Sequence, residues 1–112
     1  MTSKDFVDNY NMHDSLIDSV EISKETGKIV LTIDFAFWMQ PGYSDSDPET
    51  GLIKVTFSNV SYYAYPDEIN LDQVSILETS IESGNVKFAL IDDITDDSYE
   101  ILIESDFVEI EY

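Results

Sequence analysis

Cysteine is absent from this sequence of 112 residues, and so is arginine. Without cysteine the chain can form neither a disulfide framework nor a thiolate metal site, so nothing indicates an oxidising compartment. With only 5 lysines it also lacks the cations that replace counterions on phosphate. This shortage of cations excludes a protein that binds nucleic acid by itself. It also makes an anionic membrane an unfavourable partner.

Long apolar runs are also missing. The first fifteen residues, MTSKDFVDNYNMHDS, contain three aspartates and no apolar stretch of the kind a secretory signal needs. No later segment approaches the ~20 apolar residues of a membrane-spanning helix. The sequence therefore predicts a cytoplasmic protein with no membrane partner.

Acidic residues are abundant. Aspartate and glutamate number 24 against 5 lysines, which gives a formal charge of −19. Such charge favours disorder, but 43% of the residues are apolar and 12% aromatic, enough for one domain of this length to bury a core. Residues 1–66 contain ten acids and four lysines, whereas residues 67–112 contain fourteen acids and one lysine. The C-terminal part is therefore the more acidic pole.

Most apolar residues recur with a period of two, which is typical of β-strands. The pattern predicts a mainly β protein with little helix, built from six or seven antiparallel strands in one strongly twisted sheet or a small sandwich. In a first strand over Leu16–Ser23, Val20 and Ile22 are expected to face inward. Ten residues are expected in the core: Leu31, Ile33, Phe35, Ile53, Val55, Phe57, Phe88, Leu90, Ile101 and Ile103.

Residues 76–91 are predicted to form a hairpin. A two-residue turn at Gly84-Asn85 places Ile81 opposite Phe88 on the inner face. The same register places Glu82 opposite Lys87 on the outer face, as a pair of opposite charges. This register pairs two apolar residues on the inner face and two opposite charges on the outer face, so it is the one we expect.

Several segments are less regular. The alternation breaks near Asn59, which indicates a bulge or bend. A short helical turn is expected from Pro66 to about Gln73. The inward positions change from odd to even at residues 105–106, so the C-terminal part forms either two strands or one bulged strand. Over residues 74–84 a helix is the alternative to the first strand of the hairpin.

His13 is the only histidine, and Asp14 and Ser15 follow it. Side chains of consecutive residues in an extended segment point apart, so these three do not form a catalytic triad. An Asx or Ser turn that starts the first strand is the expected arrangement. The sequence offers no other catalytic residue, so we expect no enzyme activity.

Two acidic segments are candidate cation sites. Asp45, Asp47 and Glu49 alternate in a loop as the ligands of an EF-hand do, but the glycine and the closing glutamate of that motif are out of place. Residues 92–97 contain four more aspartates. We expect both segments to be solvated turns without a metal or cofactor. A small metal- or ligand-binding domain that uses these loops is the alternative function.

The candidate binding residues are glutamates of the more acidic part and a cluster of tyrosines that precedes it in the sequence. The predicted strands direct rows of glutamates to solvent, and three tyrosines crowd one strand end. Like charges on adjacent strands destabilise a sheet, which favours a compensating use such as attraction of a basic protein. The expected partner-binding residues are Glu78, Glu82, Glu100, Glu104, Glu109, Glu111, Tyr62, Tyr63 and Tyr65. A further alternative is a structural subunit whose tyrosine-rich edge joins another chain.

The segment MHDSLIDSVEIS, a long apolar strand after it, and the closing YEILIESDFVEIEY resemble small acidic bacterial proteins with a His-Asp-Ser opening. More broadly they resemble the immunity proteins of bacterial toxin systems. The resemblance implies a protein that neutralises a cognate toxin by binding it and needs no catalytic residue. The expected function is therefore the sequestration of a positively charged protein, such as a toxin.

Overall fold

Eight antiparallel strands form two sheets in the computed structural model, which describes all 112 residues. One α-helix and two short 3-10 turns, at Phe37–Met39 and Leu71–Gln73, complete it. The regular elements are α1 (Ser3–Asn9), β1 (Leu16–Ser23), β2 (Lys28–Ala36), β3 (Thr50–Ser58), β4 (Tyr62–Ala64), β5 (Val74–Glu82), β6 (Asn85–Asp92), β7 (Ser98–Glu104) and β8 (Phe107–Glu111). The mainly β prediction is confirmed, with one or two more strands than expected.

The two sheets pack face to face. Sheet A has the strand order β1-β2-β3-β8, and sheet B has the order β4-β7-β6-β5. Buried side chains of both sheets form one core. At its centre the rings of Phe57 and Phe88 meet edge to face across the two sheets, with centroids 6.3 Å apart. Of the two architectures expected, the sandwich is therefore the one that forms.

The predicted core is confirmed. All ten residues expected there are at most 2% exposed. Alternation places successive side chains on opposite faces, so a strand with one apolar face can bury that face only against the other sheet.

Helix α1 was not predicted. It begins with a capping box, in which the Thr2 hydroxyl accepts the backbone N–H of Asp5 and the Asp5 carboxylate accepts that of Thr2. Phe6 inserts into the core, with its ring centroid 5.8 Å from that of Phe57 and 6.1 Å from that of Phe88. The helix packs against β5, β6 and β8. It therefore covers the core where the edge strands of the two sheets leave it open.

The predicted hairpin forms from β5 and β6, so the helix alternative is wrong. Its turn is Ser83–Gly84, one residue earlier than predicted, and both residues have positive φ values of 51° and 83°. These values match a type I′ turn, whose twist suits a two-residue hairpin. In this register Ile81 pairs with Val86, and Thr79 pairs with Phe88. The expected pairing of Ile81 with Phe88 is therefore wrong.

Both breaks in the alternation mark passages from one sheet to the other. At Asn59, which has a φ of 53°, the chain leaves β3 and enters β4. At residues 105–106 it leaves β7 and enters β8. The C-terminal part therefore forms two strands in different sheets. The helical turn expected after Pro66 is confined to residues 71–73, where the Asn70 side chain caps it.

Strand β1 has the expected bounds but not the expected burial. Val20 is half-buried, and Ile22 keeps 38% of its surface exposed. Ile22 lines a cleft that opens between the two sheets at this end of the strand. Ile22 faces inward as expected, directly opposite the buried Ile29, but nothing covers it at this end of the strand.

Candidate functional site

The six candidate glutamates lie on two outer faces of the sandwich. Glu109 and Glu111 belong to β8 of sheet A, opposite Thr56 and Lys54 of β3. The expectation that all six project from neighbouring strands is wrong, because β7 and β8 belong to different sheets. The other four project from the outer face of sheet B: Glu78, Glu82, Glu100 and Glu104.

These four glutamates surround one lysine, and we call this surface the acidic face. Lys87 lies on the central strand β6, opposite Ser80 of β5 and Leu102 of β7. Each glutamate is two residues from one of these two partners, so it occupies a position diagonal to the lysine. Diagonal neighbours in a sheet lie about 7–8 Å apart between their backbones, which long side chains can bridge.

Lys87 bridges two of the four carboxylates. Its ammonium nitrogen lies 3.2 Å from a carboxylate oxygen of Glu82 and 3.2 Å from one of Glu100. Hydrogen bonds to Glu82 and Glu100, together with their charges, raise the pKa of Lys87 above its ordinary value. The predicted attraction between Glu82 and Lys87 is therefore present, along a diagonal rather than directly across. Glu78 and Glu104 form no ion pair with a lysine.

The three candidate tyrosines lie in different environments. Tyr62 on the edge strand β4 pairs with Glu104 and is 52% exposed, so it extends the acidic face. The Ser61 hydroxyl beside it donates a 2.7 Å hydrogen bond to the Glu104 carboxylate. Tyr63 and Tyr65 pack against the core, and burial raises the pKa of Tyr65. The structure thus brings one of the three tyrosines together with the glutamates.

The acidic face is not purely charged. The half-buried apolar side chains of Leu102 and Ala89 lie beside Lys87 between the glutamates, and Ala64 on β4 lies next to Leu102 outside them. A protein interface typically has an apolar centre, an aromatic residue and a charged rim. The sequence did not indicate that these apolar side chains lie among the glutamates, because the pairing of β4, β6 and β7 depends on contacts between residues far apart in the sequence.

The segment His13-Asp14-Ser15 has a structural role. Backbone hydrogen bonds of 2.9 Å join Asp14 and Ser15 to Ile76 of β5. The buried Ser15 hydroxyl accepts the backbone N–H of Ala36 at 2.9 Å. The Nδ1 atom of His13 lies 2.7 Å from the next carbonyl oxygen along β5. A turn precedes β1, but it is not the expected Asx or Ser turn of these residues. The Ser15 N–H closes it by donating to the Met12 carbonyl oxygen at 3.0 Å, while the Ser15 hydroxyl is engaged by Ala36.

The acidic loops also have structural contacts. Asp92 is buried rather than solvated, and its carboxylate accepts the backbone N–H groups of Ile94 and Thr95 at 2.8 and 3.0 Å. In the other loop the Asp47 carboxylate accepts the N–H of Ser44 at 3.2 Å. No group of three or more His, Asp or Glu side chains is placed to hold a metal ion. Asp92 therefore stabilises the turn by accepting backbone N–H groups. The sequence does not distinguish Asp92 from the other three aspartates of residues 92–97.

The chain matches no protein-family model, no curated protein and no solved structure. It contains no helix with the length and apolar character needed to cross a bilayer. The geometry of the acidic face is consequently the basis for a functional conclusion.

Proposed function

We propose that this chain is a non-enzymatic, cytoplasmic protein that sequesters a positively charged protein, as an immunity protein or antitoxin neutralises a toxin. The observation that carries the proposal is the acidic face, where four glutamates surround Lys87 with the half-buried Leu102 and Ala89 beside it, and Tyr62 adds an exposed aromatic ring. Each of these features is typical of a surface that binds another protein.

The spacing of the glutamates indicates what the partner must present. Two glutamates four residues apart on one strand are separated by about 13 Å, and β5 and β7 by about 10 Å. The backbones of the four glutamates therefore mark the corners of a rectangle of roughly these sides. The carboxylates of Glu82 and Glu100, from opposite corners, both turn toward Lys87 and lie 3.2 Å from its ammonium nitrogen. A partner with several lysine or arginine side chains over a patch the size of this rectangle would complement the acidic face.

The whole chain contributes to the rate of capture. With a net charge of −19, it attracts a cationic protein beyond the reach of direct contacts. Such a field can raise an association rate by about 10- to 1,000-fold at low ionic strength. Glu109 and Glu111 lie on sheet A, so in this proposal they act through the field and not by contact.

Two quadruple variants of equal charge test the proposal. One replaces Glu78, Glu82, Glu100 and Glu104 by Gln on the acidic face. The matched control replaces Glu21, Glu25, Glu109 and Glu111, which are all exposed and lie outside that face. Each variant and the native chain serve as bait for extracts of the source cells, with bound proteins quantified by mass spectrometry. Melting curves first establish that both variants are folded.

We expect a basic protein that binds the native chain and the control and is lost from the acidic-face variant. With that protein purified, the acidic-face variant should show a slower association rate and a weaker dependence on salt. The native chain should also inhibit the activity of its partner at a one-to-one ratio. Equal losses from both variants would indicate that only net charge matters, and capture of a non-basic partner would contradict the proposal.

A further inference from the structure

We propose that a cleft at the open end of the sandwich binds a small amphipathic carboxylate, a molecule with a short apolar chain or ring and one anionic group. The cleft has a volume of about 330 Å³. One wall is the end of the β1–β2 hairpin, and the other is the β3–β4 connection together with the start of β4. This volume is at the lower end of the range for small-molecule sites.

The floor of the cleft is apolar and reaches between the two sheets. Ile22 and Ile29 are directly opposite each other on β1 and β2. Ile29 is buried, whereas Ile22 keeps 38% of its surface exposed. Val60 and Tyr63 face them from the other wall. An inward-facing isoleucine without cover leaves apolar surface in water, and a short apolar chain could cover it.

The rim of the cleft is cationic. Lys24 and Lys28 both line it, and no aspartate or glutamate does. Neither lysine forms an ion pair, whereas Lys4 and Lys87 are both paired. In a chain with 24 acids and 5 lysines, two lysines without an ion pair at one cleft are a local concentration of positive charge. The Glu104 carboxylate contacts the other wall, where it accepts the Ser61 hydroxyl at 2.7 Å. The charge of the two lysines complements an anionic group and would repel a cation.

The two walls are tied together by the backbone. The carbonyl oxygen of Gly27 in the hairpin turn accepts the N–H of Val60 at 2.9 Å. Gly27 has a φ of 66°, and a side chain at this position would be strained. The cleft is therefore formed before a ligand arrives, which reduces the entropy lost on binding.

Octanoate, octan-1-ol and acetate are suitable probes, because they separate the contribution of the anionic group from that of the apolar chain. Calorimetry and backbone amide chemical shifts of the full chain measure the binding. We expect octanoate to bind with one-to-one stoichiometry and to shift the amides of residues 22–29 and 60–63. Octan-1-ol and acetate should each bind about tenfold more weakly or not at all, because octan-1-ol lacks the anionic group and acetate lacks the apolar chain.

Two double variants of equal charge locate the site. Replacing Lys24 and Lys28 by Gln should weaken octanoate binding by about tenfold. The control replaces Lys4 and Lys54 by Gln and should leave it within about twofold, since neither residue lines the cleft. Equal losses from both variants, shifts centred elsewhere, or no saturable binding at millimolar octanoate would each overturn the proposal. None of these outcomes affects the acidic face on sheet B, so the proposed function is tested separately.

Discussion

Lys87 on the central strand of sheet B reaches Glu100 on β7, with 3.2 Å between the ammonium nitrogen and a carboxylate oxygen. The same ammonium group lies 3.2 Å from Glu82 on β5. One lysine therefore spans three strands and offsets the repulsion between carboxylates that the sequence pattern predicts. Since it is the only lysine among the last 46 residues, its position in the centre of the acidic face has a large electrostatic effect.

Replacing Lys87 by Gln should lower the melting temperature at neutral pH more than Lys54→Gln does. Both substitutions remove one positive charge, but Lys54 forms no ion pair. Glutamine cannot offset the charges of Glu82 and Glu100, so the carboxylates around it repel one another. Thermal melts monitored by circular dichroism provide the comparison, and equal effects of the two substitutions would contradict the bridging role.

The contribution of Lys87 should also disappear at high pH. The hydrogen bonds that Lys87 donates to the carboxylates of Glu82 and Glu100 raise its pKa in the folded state above the ordinary value of 10.5. The folded protein therefore holds this proton more tightly than the unfolded chain does, so the stabilisation is complete below about pH 10. It is lost as the pH rises through the folded-state pKa. Urea unfolding of the native chain and of Lys87→Gln should converge above that pH, and a constant difference would argue against the ion pairs.

Replacing Ser15 by Ala should destabilise the protein by about 1–3 kcal/mol, because the buried N–H of Ala36 would lose its acceptor. The amide hydrogen of Ala36 should then exchange faster with solvent than in the native chain. Ser23→Ala is a matched control, since Ser23 is exposed and lies at the end of β1, the strand that Ser15 precedes. Unchanged stability in Ser15→Ala would show that water or another group replaces the hydroxyl.

Replacing Phe6 by Ala should cost about 3–5 kcal/mol, because the ring fills the space beside Phe57 and Phe88. The exposed Phe107 is the control, and Phe107→Ala should change the free energy of unfolding by less than about 1 kcal/mol. Denaturant unfolding measures both values. A small effect at Phe6 would mean that α1 is not an integral part of the core.

The sequence predicted the inner faces of the strands because each strand carries its own alternating pattern. It did not predict α1, since a helix of seven residues is too short for a clear periodicity and its capping box, Thr2 to Asp5, is a weak signal. Phe6 belongs to the core only through its contacts with Phe57 of one sheet and Phe88 of the other, which the sequence does not show.

The candidate site was predicted less well than the core. Alternation indicated correctly that Glu100, Glu104, Glu109 and Glu111 point outward. It could not indicate that β7 and β8 belong to different sheets, because strand pairing depends on contacts between residues far apart in the sequence. The sequence predicted the attraction of Lys87 to Glu82, but the second ion pair, with Glu100 on β7, follows only from the pairing of β6 with β7.

The turn between β5 and β6 allows the observed register to be tested against the predicted one. Ser83 and Gly84 both adopt positive φ in a type I′ turn. Asparagine tolerates this conformation better than serine, so Ser83→Asn should stabilise the protein by about 0.5 kcal/mol. Gly84→Ala should destabilise it by about 1 kcal/mol. The added Cβ would lie 3.5 Å from a Glu104 oxygen, an ordinary contact, so the loss reflects backbone strain.

The residue after this turn distinguishes the two registers. The Asn85 side chain donates hydrogen bonds to the carbonyl oxygens of Glu82 and Ser83, at 3.2 and 3.3 Å. In the observed register Asn85→Gly therefore removes these bonds and places a glycine in a strand, which should lower stability. In a hairpin that turned at Gly84-Asn85 the same substitution would favour the turn and raise stability. The sign of the change for Asn85→Gly, measured by urea unfolding beside Ser83→Asn, decides between them.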